Sequence, residues 1–139
     1  MKKNNPISEI MTRDLHTLNL SNQLDEAEEM FRKHHVRHLP VIDEGRLVGI
    51  LSLTDLQRIS FAEAYSDEET VVDSAIYKML SVEQVMVSNP VRVSATTSIK
   101  EVAEILASRE FHALPVVEEE ELVGIITTTD LIQYMLTEF

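Results

Sequence analysis

Cysteine is absent from the 139 residues, so neither a disulfide framework nor a thiolate metal site can form, and a reducing cytoplasm suits the chain. No run approaches the ~20 apolar residues a membrane-spanning helix needs, which argues against a bilayer location. The opening Met1-Lys2-Lys3-Asn4-Asn5-Pro6 has lysines but no apolar stretch behind them, unlike a secretory signal. Cations are scarce: 12 Lys and Arg stand against 24 Asp and Glu, for a net charge of −12. Such a surface repels phosphate backbones and disfavours nucleic acid as a partner. No nucleophile is set with His and Asp at an identifiable catalytic spacing, and no Gly-x-x-x-x-Gly-Lys phosphate loop occurs. The chain reads as a non-enzyme.

Glycine is also scarce, at three residues, and two of the three form a matched pair. Gly49-Ile50-Leu51-Ser52-Leu53-Thr54-Asp55 is written again as Gly124-Ile125-Ile126-Thr127-Thr128-Thr129-Asp130, 75 positions later. The same offset places Met11 on Met86, Glu26 on Glu101, and Leu39-Pro40-Val41 on Leu114-Pro115-Val116. This is an internal duplication. Each copy is roughly 60 residues, a size that buries little surface alone, so the two are expected to share a core. The boundaries read as a first repeat at 1–59, an acidic and partly helical connector at 60–79, and a second repeat at 80–139.

Local patterns fill in each repeat. Ile7, Ile10 and Met11 have helical spacing, matched by 82–86, and polar turns are expected after both, at Thr12-Arg13-Asp14 and Val87-Ser88-Asn89-Pro90. His16–Leu20 and Val91–Ala95 alternate as short strands. Ser21-Asn22 and Thr96-Thr97-Ser98 supply helix caps, Ser98 with Glu101 as a capping box. Leu24, Ala27, Met30 and Phe31 line one helix face, as do Ile99, Val102, Ala103, Ile105 and Leu106 in the second copy. Strands follow at 38–42 and 113–117, each with a proline that belongs at a strand start or edge. Asp43-Glu44-Gly45-Arg46 is a hairpin turn; Glu118–Glu121 replaces it without a glycine, leaving room for a different geometry. Strands at 47–51 and 122–126 lead into helices opening near Thr54-Asp55 and Thr129-Asp130. In the connector, Val71, Val72, Ala75, Ile76, Met79 and Leu80 suggest a further helix.

The charge is uneven. Residues 1–59 carry eight Lys/Arg against nine Asp/Glu, whereas residues 80–139 carry three against ten. A small polyanion would favour the first half.

This ordered set, occurring twice over nearly the whole chain, resembles a tandem pair of CBS domains, the module named after cystathionine β-synthase. The resemblance implies an α+β (α/β-like) fold of two β-α-β-β-α units, related by a pseudo-twofold axis and packed sheet to sheet. It also implies two clefts for adenosine-containing ligands such as AMP, ADP, ATP or S-adenosylmethionine, and a homodimer of such modules. Carried over, Asp55 and Asp130 would accept hydrogen bonds from ribose hydroxyls, with Ser52 and Thr127 on ribose or phosphate. Thr17, Arg92, Val36 and Phe111 would lie near adenine. Arg37 and His38 would face phosphate; their counterparts are His112 and the apolar Ala113. The Asp55 cleft is thus expected to prefer a phosphorylated nucleotide, and the Asp130 cleft a less charged adenosyl ligand or none. The implied function is a stand-alone cytoplasmic sensor that signals by conformation to a separate effector protein.

Other readings stay open at this point. Asp55 and Asp130 suit helix N-capping without any ligand, with Thr54 or Thr129 as competing caps. The His-rich Lys33–His38 stretch admits a metal reading, against a basic helix end favoured by the helix dipole. Glu118–Glu121 makes a poor cation cage, since consecutive residues in a hairpin point to opposite faces. A scaffold that dimerises with empty clefts, and an S-adenosylmethionine or metal sensor, are the rival functions.

Overall fold

The computed structural model describes residues 4–64 and 77–139, with side chains described outside 60–64. Its secondary structure is mixed α+β with two separate sheets. Two compact units form: His16–Pro90, and Met1–Leu15 together with Val91–Phe139. The cut differs from the sequence repeats, because the lead-in of the first repeat belongs to the unit that holds the second.

The continuous unit contains β1 (Leu18–Asn19), α1 (Leu24–His34), β2 (His38–Asp43), β3 (Arg46–Ser52), α2 (Leu53–Ala64), α3 (Val82–Val85) and β4 (Val87–Ser88). Its sheet runs β1-β2-β3-β4, with β1 parallel to β2 and the remaining pairs antiparallel. Leu24, Ala27 and Phe31 of α1 pack with Leu39, Val41, Leu51, Leu56, Tyr77 and Val82 into one buried core. Removing one such large side chain would cost about 2–5 kcal/mol. The 10-residue α4 (Ile99–Ser108), β5 (Ala113–Glu118), β6 (Glu121–Thr127) and α5 (Thr128–Thr137) form the second unit with a short 3₁₀ turn at Ile7–Glu9. Its core gathers Ile7, Met11, Ile99, Val102, Leu106, Leu114, Val116 and Ile126.

The duplication governs the register. β2 and β3 pair from His38↔Ser52 to Asp43↔Arg46, and β5 and β6 from Ala113↔Thr127 to Glu118↔Glu121, each with an irregularity at the equivalent position. The expected first strands are shorter than their alternation suggests: β1 has two residues, and in the second unit only Val93 bridges Val116. Pro40 and Pro115 each sit third in their strands; β2 is an inner strand, contrary to expectation, whereas β5 is one of the two strands of its sheet and so an edge, as expected. Their missing N–H is harmless there. Ile125, opposite Pro115, exchanges both its backbone bonds with Thr12, and the parallel neighbour on the other side begins only at Val93.

The two stretches expected to be polar turns are sheet edges. Thr12 bridges Ile125, and Val87–Ser88 forms β4 against Ile50 and Gly49. The paired glycines explain the close approach. A Cβ at Gly124 would lie 2.5 Å from Met11 Sδ, and one at Gly49 would run into Met86 Sδ.

Helix starts divide between expectation and correction. Ser98 Oγ accepts the Glu101 N–H at 3.1 Å, as a cap should. In the first copy the cap position is Gln23, whose N–H donates to Glu26 at 3.1 Å. Ser21 and Asn22 are spent one step earlier: Asn22 Oδ1 accepts the Asn19 N–H at 2.7 Å, and Ser21 bonds Asn19, which builds a turn. The Glu-only hairpin keeps the geometry of its glycine-containing twin. Glu44 and Gly45 have φ of 50° and 80°, Glu119 and Glu120 φ of 48° and 69°. The suggested helix over Val71, Val72, Ala75 and Ile76 lies outside the described residues; Tyr77–Met79 is helical.

Candidate functional site

Each unit gathers its candidate residues at one end of its sheet. In the continuous unit, β1 and β2 begin and β3 ends at this edge, so Thr17, Val36, Arg37, His38 and Ser52 lie at the end of the sheet where α2 starts. The Leu53 N–H donates to the Arg37 carbonyl at 2.8 Å, tying the two segments together. Ser52 Oγ accepts the Asp55 N–H at 3.0 Å, so Ser52, rather than Thr54, caps α2. The Asp55 carboxylate lies 3.6 Å from Arg58, whose side chain is 76% exposed, a pair that water screens heavily. His38, Thr17 and Val36 are half-buried and Arg37 is exposed.

The second unit repeats the layout with different chemistry. The Thr128 N–H donates to the His112 carbonyl at 3.0 Å, and Ala113 pairs with Thr127. Arg92 precedes the bridging Val93, and Phe111 lies half-buried just ahead of β5. Thr127, rather than Thr129, is the cap: its Oγ1 accepts the Asp130 N–H at 3.0 Å, and its own N–H donates to Asp130 Oδ2 at 3.1 Å. Asp130 therefore has a structural task as well as a position at a helix start. Beside His112 stands the buried Ala113 in place of a second polar group.

Two features were not read from the sequence. Thr12 Oγ1 donates to the Asp130 carboxylate, 3.3 Å from Oδ1 and 3.2 Å from Oδ2, across 118 residues. Its only sequence signal is the mismatch at the offset, where Val87 faces it in the repeat. The second feature is an imidazole stack of His16 on His34, with ring centroids 3.6 Å apart, at the basic end of α1. Among the described residues, no three His, Asp or Glu side chains gather as a metal site. Glu118 is not merely a solvated turn residue, because its carboxylate accepts the Ala95 N–H at 2.6 Å. Among the described residues no helix is long and apolar enough to cross a membrane.

Each copy of the duplicated α+β module therefore carries a carboxylate at a helix start on the same edge of its sheet. The CBS domain model matches residues 7–61 and 82–137, and the chain belongs to that family as a tandem pair, a CBS-pair regulatory module. The crystal structure of CBSX2 from Arabidopsis thaliana in complex with AMP superposes with a TM-score of 0.79 at 28% identity, covering 96% of this chain and 98% of that one. MJ1225 from Methanocaldococcus jannaschii is 30% identical over 134 residues, 95% of this chain and 48% of that protein. Its crystal structure, described as that of a candidate archaeal homologue of γ-AMPK, gives a TM-score of 0.81. CBSX1 of Arabidopsis thaliana, a chloroplastic protein, is 33% identical over 150 aligned positions, 94% of this chain and 64% of that protein. The chain thus spans about half of MJ1225, and only 14% of a similar A-adding tRNA nucleotidyltransferase from Geobacter sulfurreducens.

Proposed function

We propose that this CBS pair is a non-catalytic sensor of adenine nucleotides that signals occupancy to a separate effector protein in an aqueous compartment such as the cytoplasm. The observation that carries the reading is the AMP held by CBSX2, a protein alike over nearly its full length. In this chain Asp55 and Asp130 would accept the ribose hydroxyls, and Ser52 and Thr127, whose oxygens already accept a helix N–H, keep a hydroxyl proton to donate. Thr17 with Val36, and Arg92 with Phe111, would border adenine. Arg37 and His38 would meet phosphate in the first site. The second offers His112 beside Ala113, which suits a less charged ligand such as S-adenosylmethionine. Ligand that favours one arrangement of the chain shifts its population by the difference in affinity, a coupling typically of ~1–3 kcal/mol.

A second copy of the chain is the partner assigned to the outer face of α5. Ile132, Met135 and Leu136 recur at i, i+3 and i+4 on the helix, with Phe139 just beyond its end, and all four are exposed. A self-complementary apolar seam without charge is what an isologous dimer uses.

Calorimetric titration of AMP, ADP, ATP and S-adenosylmethionine into nucleotide-free protein tests the sensor reading, with Asp55→Ala and Asp130→Ala alongside. Nucleotide binding lost chiefly in Asp55→Ala is the expected result. Absence of heat with every ligand, in folded protein, would leave the dimeric scaffold as the better account.

A further inference from the structure

Resting on the adenosine reading above, we infer that Thr12 is a specificity-determining residue of the Asp130 site, one that occupies the diol-binding edge of the carboxylate until ligand displaces it. Thr12 Oγ1 is nearly equidistant from the two oxygens of Asp130, at 3.3 and 3.2 Å. A hydroxyl so placed sits on the edge from which a vicinal diol would chelate a carboxylate. Oδ2 already accepts the Thr127 N–H at 3.1 Å, so the approaches left for a ligand are fewer still. The Thr12 backbone cannot withdraw cheaply. Its N–H donates to Ile125 at 2.8 Å, its carbonyl accepts from Ile125 at 3.0 Å, and Met11 is buried over Gly124. Release is therefore a side-chain rotation, and its cost falls on the incoming ribose.

The other unit lacks this guard. Val87 holds the equivalent edge position, pairing with Ile50 as Thr12 does with Ile125, and has no hydroxyl. Asp55 carries the screened Arg58 pair instead, and the residue at the offset from Arg58 is Gln133. The two sites consequently differ in the order in which they fill, Asp55 first and Asp130 second.

The test isolates the second site in an Asp55→Ala background and titrates adenosine, the less charged ligand suited to that site, and its 2′,3′-dideoxy analogue, with thermal melts to confirm folding. Adding Thr12→Val should tighten adenosine about fivefold, the worth of one net hydrogen bond, and leave the dideoxy analogue unchanged. Thr12→Ser, which keeps the hydroxyl, should behave as threonine does. Conversely, Val87→Thr in an Asp130→Ala background should weaken AMP about fivefold. Unchanged or weaker adenosine binding in the Thr12→Val protein, no adenosine binding with either residue at position 12, or an equal gain for the dideoxy analogue would overturn the inference while leaving the sensor reading intact. No adenosyl ligand bound by the wild-type chain would remove both.

Discussion

Alanine at Gly124 puts a methyl group where the Met11 side chain lies, 2.5 Å from Sδ, 3.0 Å from Cγ and 3.1 Å from Cε. Two effects oppose each other. The backbone at Gly124 is not left-handed, so alanine reduces the freedom of the unfolded chain and contributes about 0.4–1 kcal/mol of stability. Against this, forcing a methyl into a packed site typically costs about 1–3 kcal/mol. Met11 is a flexible side chain, but it is only 7% exposed and its neighbour Thr12 is fixed by two backbone bonds. Overpacking should win, with a net loss of about 1–2 kcal/mol. The assay is urea unfolding of four proteins: wild type, Gly124→Ala, Met11→Ala and the double variant. Met11→Ala alone should cost about 2–5 kcal/mol as a buried truncation. In the double variant the clash is gone and the alanine methyl fills part of the space, so its loss should not exceed that of Met11→Ala. Strict additivity of the two single losses would refute the account, as would a Gly124→Ala protein as stable as wild type.

Glu119→Gly should raise stability by about 0.5–1 kcal/mol in thermal melts, because φ of 48° strains any residue with a Cβ. A loss of that size would mean that Glu119 makes a compensating contact. Ser98→Ala should cost about 1 kcal/mol through its lost cap, whereas Ser21→Ala, in an exposed turn, should stay within about 0.5 kcal/mol. Comparable losses at the two positions would contradict the assignment of caps. Charging the α5 seam with Ile132→Glu and Leu136→Glu should yield monomer in analytical ultracentrifugation with an unchanged circular dichroism spectrum. Dimer persisting in that variant would move the interface elsewhere.

The repeat, its elements and the placement of the candidate residues at one sheet edge were legible because their signals are local. The 75-residue offset set the order of elements, and the amphipathic stripes of 24–31 and 99–106 located the two helices that cover the sheets. The pairing of Thr12 with Ile125 was not legible, since a two-residue edge shows no alternation and its partner lies far along the chain. The same distance hid the hydroxyl on Asp130. At Glu118–Glu121 the composition pointed toward a different turn, but the fixed β5–β6 register imposes positive φ on two glutamates. Caps slipped for a simpler reason: Ser, Thr and Asn cluster at these boundaries, and only geometry shows that Ser52 and Thr127 accept the helix N–H groups while Thr54 and Thr129 do not. Adjacent candidates are equivalent until the backbone direction is known.

The interleaved units also set an order of events during synthesis. His16–Pro90 is contiguous and can close as soon as it has left the ribosome. Ile7 and Met11, both buried in the finished protein, must wait for β6. At typical elongation rates, the 118 residues between Thr12 and Asp130 take roughly 6–24 s to make. Throughout that interval the Ile7–Met11 segment presents an uncovered apolar turn with nowhere to dock. A nascent-chain chaperone therefore has its longest engagement at that segment, and slowing translation between the repeats lengthens its exposure.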